Sequence, residues 1–229
     1  MIKALIFDVF GTCVDWRTGV ANETQRMLGD RIDALTFADY WRGRYDPAMA
    51  RVRSVDRGYV PLDILHKENL EETLEYFGLI GFLSDEEKSE LNSAWEKLPS
   101  WSDVPSGLRK MRESHLVGPC SNGSIALMSR LARFANLNWD AILGAEIAQD
   151  YKPKREVYLA SCAAFNLDPA EVMMVAAHNS DLFAARTAGL KTAFVPRETE
   201  HGEGQRKDLT PESDWDIVAK DFLDLAEKL

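Results

Sequence analysis

A short apolar segment at the N-terminus is separated by about a hundred residues from every other strand-like segment, and this constrains the fold most. Residues 4–7 form a continuous apolar run that ends at Asp8 and is followed by Gly11. Such a run is typical of a strand buried on both faces and ending in a turn. Residues 14–98 have helical periodicity instead, most clearly at 62–77 and 85–98. We therefore predict a helical insert between the first strand and the rest of a sheet.

Beyond residue 104 the predicted strands and helices alternate, which indicates βαβ units and a parallel sheet. The pattern predicts strands at 116–119, 139–143, 172–176 and 192–195, and helices at 105–114, 124–135, 154–165, 181–188 and 216–229. The polar segment 198–213 is expected to be a surface loop. Since ligands of open α/β sheets bind at the carboxyl edge of the strands, the insert is in position to be a lid or cap.

Composition excludes several classes of partner. The chain has 229 residues, 45% of them hydrophobic, and a formal net charge of −10. An acidic chain does not suit nucleic acid or an anionic membrane surface, because both need a basic face. A small anionic substrate requires local cations or helix N-termini that overcome this field. Cys13, Cys120 and Cys162 form no CxxC pair and the N-terminal apolar run is too short for a signal peptide, so we expect a reduced, cytoplasmic protein.

Polar groups lie at four predicted strand ends or helix starts. Each has a plain structural explanation, since Asp8 could cap a loop, Ser121 and Asn122 could cap a helix, and Lys152 could be a solvated surface residue. Asp181, after His178, could likewise cap the helix that follows it. Their joint occurrence, in this order at one predicted sheet edge, favours a catalytic site.

These motifs identify the chain as similar to the haloacid dehalogenase superfamily. The matching segments are Asp8-Val-Phe-Gly-Thr12, Ser121-Asn122-Gly123, Lys152-Pro153 and residues 178–181. The resemblance covers the whole chain. It implies an α/β fold, with a Rossmann-like parallel sheet core at 1–14 and 99–229 and an inserted helical cap at 15–98. It also implies that Asp8 is a nucleophile.

Two departures from the magnesium-dependent phosphatases of this superfamily point away from metal chemistry. Phe10 stands where those enzymes carry a second Asp, and Ala176-Ala177 replaces their Gly-Asp. Mg²⁺ needs several hard oxygen ligands, so we expect no metal and no cofactor. The combination resembles the type II, or L-2-haloacid, dehalogenases, as does the pair Trp41-Arg42. Arg44 is a rival for the role of Arg42.

The resemblance and the residue chemistry together give a set of predicted roles. The predicted activity is metal-independent hydrolysis of small 2-haloacids to 2-hydroxy acids through an aspartyl ester. Haloacetates, with fluoroacetate among the candidates, and L-2-haloalkanoates are the expected substrates. Alternatives are a phosphatase of small phosphate esters and a non-catalytic binder of small acids. A homodimer is compatible with the resemblance. His178 is predicted to hold a water or the Asp8 carboxylate, or else only to order its loop.

The predicted catalytic residues are Asp8, Lys152, Asp181, His178 and Asn179; the halide-binding residues are Arg42 and Asn122; and the substrate-binding residues are Phe10, Thr12, Trp41, Ser121 and Tyr158.

Overall fold

The computed structural model describes residues 1–54 and 57–229, and within them six strands form one parallel sheet. The strand order is β3-β2-β1-β4-β5-β6. The strands are β1 Ala4–Phe7, β2 Leu116–Ser121, β3 Leu143–Gly144, β4 Val172–Ala176, β5 Lys191–Phe194 and β6 Ile217–Val218. The α/β class and the parallel sheet are as predicted.

The N-terminal strand lies at the centre of the sheet. All four residues of β1 are fully buried, as the continuous apolar run predicts. Phe7 is in register with Pro119 of β2 and with Val175 of β4. The residues that follow β1, β2 and β4 therefore meet at one edge of the sheet.

Helices fill the interval between β1 and β2. The helices are α1 Trp16–Leu28, α2 Ala34–Gly43, α3 Tyr45–Ser54, α4 Leu62–Tyr76 and α5 Asp85–Asn92. Asp15 and Asp33 cap the first two by accepting the backbone N–H groups of Thr18 and Thr36. The assignment of residues 15–98 to a separate cap stays a prediction.

After β2 the helices alternate with strands as βαβ units require. They are α6 Val104–Met111, α7 Ile125–Ala135, α8 Ala145–Ala148, α9 Arg155–Ala164, α10 Asn179–Ala188 and α11 Phe222–Lys228. Across the described parts of the chain, no helix has both the length and the apolar character needed to cross a membrane.

Three local predictions were wrong in part. The strand predicted at 139–143 is reduced to Leu143–Gly144. Before it, the Asp140 N–H donates to the Val117 carbonyl at 2.8 Å, but the Val117 N–H donates to the Asp140 carboxylate at 2.9 Å and not to a backbone carbonyl. The helix predicted at 216–229 begins only at Phe222, after the edge strand β6; Asp221 caps it by accepting the Asp224 N–H. The loop predicted on the surface at 198–213 buries Glu200, which is 2% exposed.

Candidate active site

A cavity of about 900 Å³ lies at the carboxyl edge of the central strands. The sheet side contributes Asp8, Ser121 and His178, which follow β1, β2 and β4, or end them. Helices α2 and α3 contribute Arg42 and Tyr45 from the opposite side. The cavity therefore lies where the topology of an open α/β sheet places ligands.

Asp8 is buried in this cavity and held by three donors. Its Oδ1 accepts from Lys152 Nζ at 2.8 Å, and its Oδ2 accepts from Thr12 Oγ1 at 2.7 Å and lies 3.0 Å from His178 Nδ1. Burial alone would raise the pKa of Asp8, but the Lys152 charge and the His178 hydrogen bond outweigh it and lower that pKa. Asp8 is thus a fixed carboxylate that stays ionised.

Lys152 links Asp8 to a second carboxylate. Its Nζ donates to Asp181 Oδ2 at 2.6 Å, and the Tyr158 hydroxyl donates to Asp181 Oδ1. Burial would lower the pKa of Lys152, yet Asp181 and Asp8 together raise it well above its usual value. The ammonium group therefore stays charged beside Asp8.

Asn122 has a defined amide orientation. Its Oδ1 accepts the backbone N–H of Lys152 at 2.7 Å, which leaves Nδ2 on the side of Met49, 3.4 Å from that sulfur. An amide N–H is thereby presented at the cavity wall.

Arg42 supplies a cation on the helical side of the cavity. Its guanidinium lies 4.0 Å from the ring centroid of Tyr45 and 5.7 Å from that of Trp16. Within residues 1–54 and 57–229 no carboxylate is in ion-pair distance of it. Arg44, the rival in the sequence, lies over the Tyr40 ring and does not line the cavity. A guanidinium that packs on aromatic rings and has no carboxylate in ion-pair distance among the described residues is suited to bind an anion.

The donor set does not fit a magnesium ion. Both oxygens of Asp8 and both oxygens of Asp181 already accept from nitrogen or hydroxyl donors. Phe10, where a second carboxylate would stand, packs its ring edge-on against Trp95. Among the described residues, no cluster of three or more His, Cys, Asp or Glu side chains could hold a metal ion. With Phe10 in place of a second carboxylate and no such cluster among the described residues, the side chains around Asp8 do not provide the hard oxygen ligands that Mg²⁺ needs.

Four predicted site residues do not line the cavity. Thr12 and Tyr158 are fully buried behind Asp8 and Asp181, and Trp41 donates its indole N–H to the His66 carbonyl. Thr12, Tyr158 and Trp41 lie outside the cavity lining, and Asn179 is described below. The structure therefore does not place these three side chains in the predicted contact with substrate.

Asn179 is also turned away from the cavity. Its side chain donates to Asp208 and to the Thr210 carbonyl, and it accepts the Glu212 N–H and the Trp215 indole N–H. These contacts order the segment 208–215. They do not support the catalytic role predicted for Asn179.

Glu200 and Tyr45 belong to the cavity but were missed in the sequence. Glu200 accepts from His178 Nε2 at 2.8 Å and from Trp16 Nε1 at 2.9 Å. Its polar surroundings in the sequence gave no sign of burial. Tyr45 could have been found, since it follows Arg42 by three residues. Burial raises the pKa of Tyr45 to about 12, so its hydroxyl stays protonated.

Comparison with known proteins identifies the family. The model of the haloacid dehalogenase-like hydrolases matches residues 2–189. The structure of the defluorinating L-2-haloacid dehalogenase Rha0230 is 43% identical, with a TM-score of 0.95 over 100% of this chain and 95% of that one. The L-2-haloacid dehalogenase PA0810 is 42% identical, with a TM-score of 0.94 over 100% of this chain and 99% of that one.

A curated relative agrees with these structures. The (S)-2-haloacid dehalogenase of Pseudomonas sp. (strain YL) is 28% identical over 95% of this chain and 91% of its own length. The resemblance and the hydrolase class predicted from the motifs are thereby confirmed. The chain belongs to the haloacid dehalogenase-like hydrolases, in the branch of the L-2-haloacid dehalogenases.

Proposed function

We propose that this chain hydrolyses small 2-haloacids to 2-hydroxy acids through an ester on Asp8, without a metal. The observation that carries the proposal is the buried, ionised Asp8, held by three donors and facing a cavity that also contains Arg42. Haloacetates and L-2-haloalkanoates are the proposed substrates. Fluoroacetate is included because a relative of 43% identity is described as defluorinating.

In the first step, a carboxylate oxygen of Asp8 attacks the α-carbon from the side opposite the halogen. The new carbon–oxygen bond forms as the carbon–halogen bond breaks, and the bonding electrons leave with the halide. Inversion at the α-carbon follows from this geometry. The rate gain comes mainly from holding the nucleophile in line, which Lys152 and Thr12 do from two directions.

The departing halide needs donors at the far side of the α-carbon. The Arg42 guanidinium and the Asn122 amide N–H are the proposed donors, and they act where charge develops in the transition state. The Tyr45 hydroxyl lies beside both and is a further donor of the same kind. Ser121 and nearby backbone N–H groups are proposed to bind the substrate carboxylate.

The cavity is walled by apolar groups at the reacting centre. Phe10 and Met49 line it, and both are nearly fully buried. A dry wall strengthens the attraction between the halide and its donors, because the local dielectric is low. Trp41 supports this wall by packing against Trp95.

In the second step, water attacks the carbonyl carbon of the Asp8 ester. The product hydroxyl keeps the original Asp8 oxygen, and the water oxygen remains on Asp8. Asp181 is proposed to hold Lys152 in place through both steps. As Asp8 is released, the Lys152 charge favours its return to the carboxylate.

The test is halide release from fluoroacetate, chloroacetate and both enantiomers of 2-chloropropionate, with EDTA present. The wild type should release halide, and Asp8→Asn should not. Asp30→Asn, which changes an exposed carboxylate, should behave as the wild type. One turnover in ¹⁸O-labelled water should place the label on Asp8 and not in the product.

Other outcomes would overturn the proposal. Full activity of Asp8→Asn, or label in the product of a single turnover, would contradict the aspartyl ester. Magnesium-dependent phosphate release without halide release would favour the phosphatase. Binding of haloacids without turnover would favour a non-catalytic protein.

A further inference from the structure

His178 lies between two buried carboxylates, and only one of them is used by the mechanism above. Its Nδ1 is 3.0 Å from Asp8 Oδ2, and its Nε2 is 2.8 Å from Glu200 Oε2. Glu200 is 2% exposed. A carboxylate buried to this degree needs partners that stabilise its charge, and His178 is one of them. The mechanism above gives this contact no role.

The position of Glu200 is built into the fold from several directions. The Trp16 indole N–H donates to Oε1 at 2.9 Å from a residue 184 positions away. Gly11 has a φ of +88°, and a Cβ placed on it would lie 2.1 Å from Oε1 of Glu200. The loop after the nucleophile therefore reserves the space that this carboxylate occupies.

The segment that carries Glu200 is also tied to that loop. Arg197 donates through Nε to the Thr12 carbonyl at 2.9 Å and pairs with both oxygens of Asp103. The Gln205 amide donates back to the Arg197 carbonyl. Glu200 is thus held in a closed turn and not on a free surface loop.

We propose that Glu200 is a positioning residue that makes His178 the base for hydrolysis of the Asp8 ester. This inference rests on the proposed function, since it assigns the second step of that reaction. With Nε2–H donated to Glu200, a neutral His178 carries its lone pair on Nδ1, on the side of Asp8. A water beside the ester carbonyl of Asp8 is then within reach of that lone pair.

The charge on Asp8 controls when His178 can act. Burial would lower the pKa of His178, but Glu200 and Asp8 raise it well above its usual value, so the resting ring is a cation. Formation of the ester removes the Asp8 charge, and the pKa of His178 falls. The ring then loses its Nδ1 proton to solvent through the cavity, and the base is present only after the ester has formed.

Other charged groups near His178 do not take over the effect of the Asp8 charge on its pKa. Lys152 and Asp181 reach the ring only through Asp8, and His201 Nε2 is 3.6 Å from Glu200 Oε1. Asp208 also lines the cavity. Glu200 is the carboxylate that stays in contact with His178 throughout the cycle, and it stabilises the imidazolium formed during hydrolysis, as the Asp of a Ser-His-Asp triad does.

The step balances in atoms and charge. Water forms a bond to Cγ of Asp8 as one of its O–H bonds breaks, and that proton moves to His178 Nδ1. The bond between Cγ and the ester oxygen then breaks, and this oxygen leaves with the electron pair and takes the proton from Nδ1. Asp8 is left as a carboxylic acid and passes its proton to His178 Nδ1, 3.0 Å away, which restores both the carboxylate and the resting imidazolium.

The test is a rapid-quench single turnover of chloroacetate by full-length Glu200→Gln. Halide release, glycolate release and the covalent adduct, seen by intact-protein mass spectrometry, are measured separately. Halide release should stay within a few-fold of the wild type. Glycolate release should slow by about a hundredfold or more, as expected for loss of acid–base catalysis, and the adduct should accumulate.

A matched control lies two residues away. Glu198 is exposed on the same segment, and Glu198→Gln should show neither slower glycolate release nor adduct. The hydrolysis step of Glu200→Gln should also titrate at lower pH than that of the wild type, because the ring has lost an anionic neighbour. Glu200→Asp keeps the charge but shortens the side chain, and should recover part of the rate.

Each failure has its own signature. Unchanged glycolate release in Glu200→Gln, or an equal loss of halide and glycolate release without adduct, would overturn the role of Glu200. No halide release by the wild type would instead overturn the proposed function. If Glu200→Gln does not fold, Glu200→Asp provides the same test, with a smaller accumulation of adduct expected. If Glu200→Asp accumulates no adduct, the inference is overturned as well.

Discussion

The hydroxyl of Thr12 connects Asp8 to the backbone that follows β4, and replacing Thr12 by Val tests how much these two hydrogen bonds stabilise the fold. Thr12 Oγ1 donates to Asp8 Oδ2 at 2.7 Å and accepts the Ala177 N–H at 2.9 Å. Thr12 is fully buried and Ala177 is 1% exposed. Valine has the same shape, so the change removes the two hydrogen bonds without creating a cavity.

The cost can be worked out from these two bonds. A buried N–H left without a partner costs about 1–3 kcal/mol, and a lost hydrogen bond to a charged group costs about 1.5–3 kcal/mol. The added methyl group offsets about 0.8 kcal/mol of this. We expect a net loss of about 2–5 kcal/mol in the free energy of unfolding. For a chain of this length, that is a fall in Tm of at least about 4 °C.

Thr24→Val is the matched control. Thr24 is also fully buried, but its hydroxyl donates to the Val20 carbonyl, which accepts a backbone N–H of the same helix as well. Its loss leaves no buried group unpaired and should cost no more than about 1 kcal/mol. Urea unfolding followed by circular dichroism measures both variants. A difference below about 0.5 kcal/mol between them would refute the argument from the Ala177 N–H.

Three further predictions concern the site. Arg42→Met should slow halide release by about a hundredfold or more. Arg44→Met should not, because the Arg44 guanidinium lies over Tyr40 outside the cavity. Equal losses in the two variants would reject Arg42 as the halide donor. Asn179→Ala should lower stability by about 2–4 kcal/mol in thermal melts while turnover per folded molecule stays near the wild-type level, and a selective loss of turnover would restore its predicted catalytic role. His178 has a raised pKa in the folded chain, so its contribution to stability is complete below its usual pKa of 6.5 and is lost as pH rises through the folded value. The urea midpoint of unfolding should therefore fall as the pH rises above neutrality, and His178→Gln should abolish this fall. The same fall in His178→Gln would contradict the assignment to His178.

Much of the site could be predicted because its residues adjoin strand ends. Asp8 follows β1, and Ser121 ends β2, so local pattern and strand order were enough to bring them together. Phe10, where a magnesium site of this superfamily needs a second carboxylate, could likewise be seen in the sequence. Lys152 was predicted because it stands in a motif of the family.

The choice between Arg42 and Arg44 could not be made from the sequence. The two residues are separated by one position, and α2 ends at Gly43 between them. The direction of each side chain depends on how α2 and α3 pack over the sheet edge. In the structure Arg42 lies over Tyr45 within the cavity, and Arg44 lies over Tyr40 outside it.

The sequence by itself determined the α/β class, the family and the position of the carboxylate proposed as the nucleophile, because each of these depends on periodicity or on short motifs. Only the tertiary structure decided that Glu200 reaches His178 and that Asn179 turns away. The Glu200–Trp16 hydrogen bond joins residues 184 positions apart, and the burial of Glu200 follows from the space above Gly11. Contacts of such separation leave no periodic pattern in the sequence, since they depend on where the folded chain places its loops.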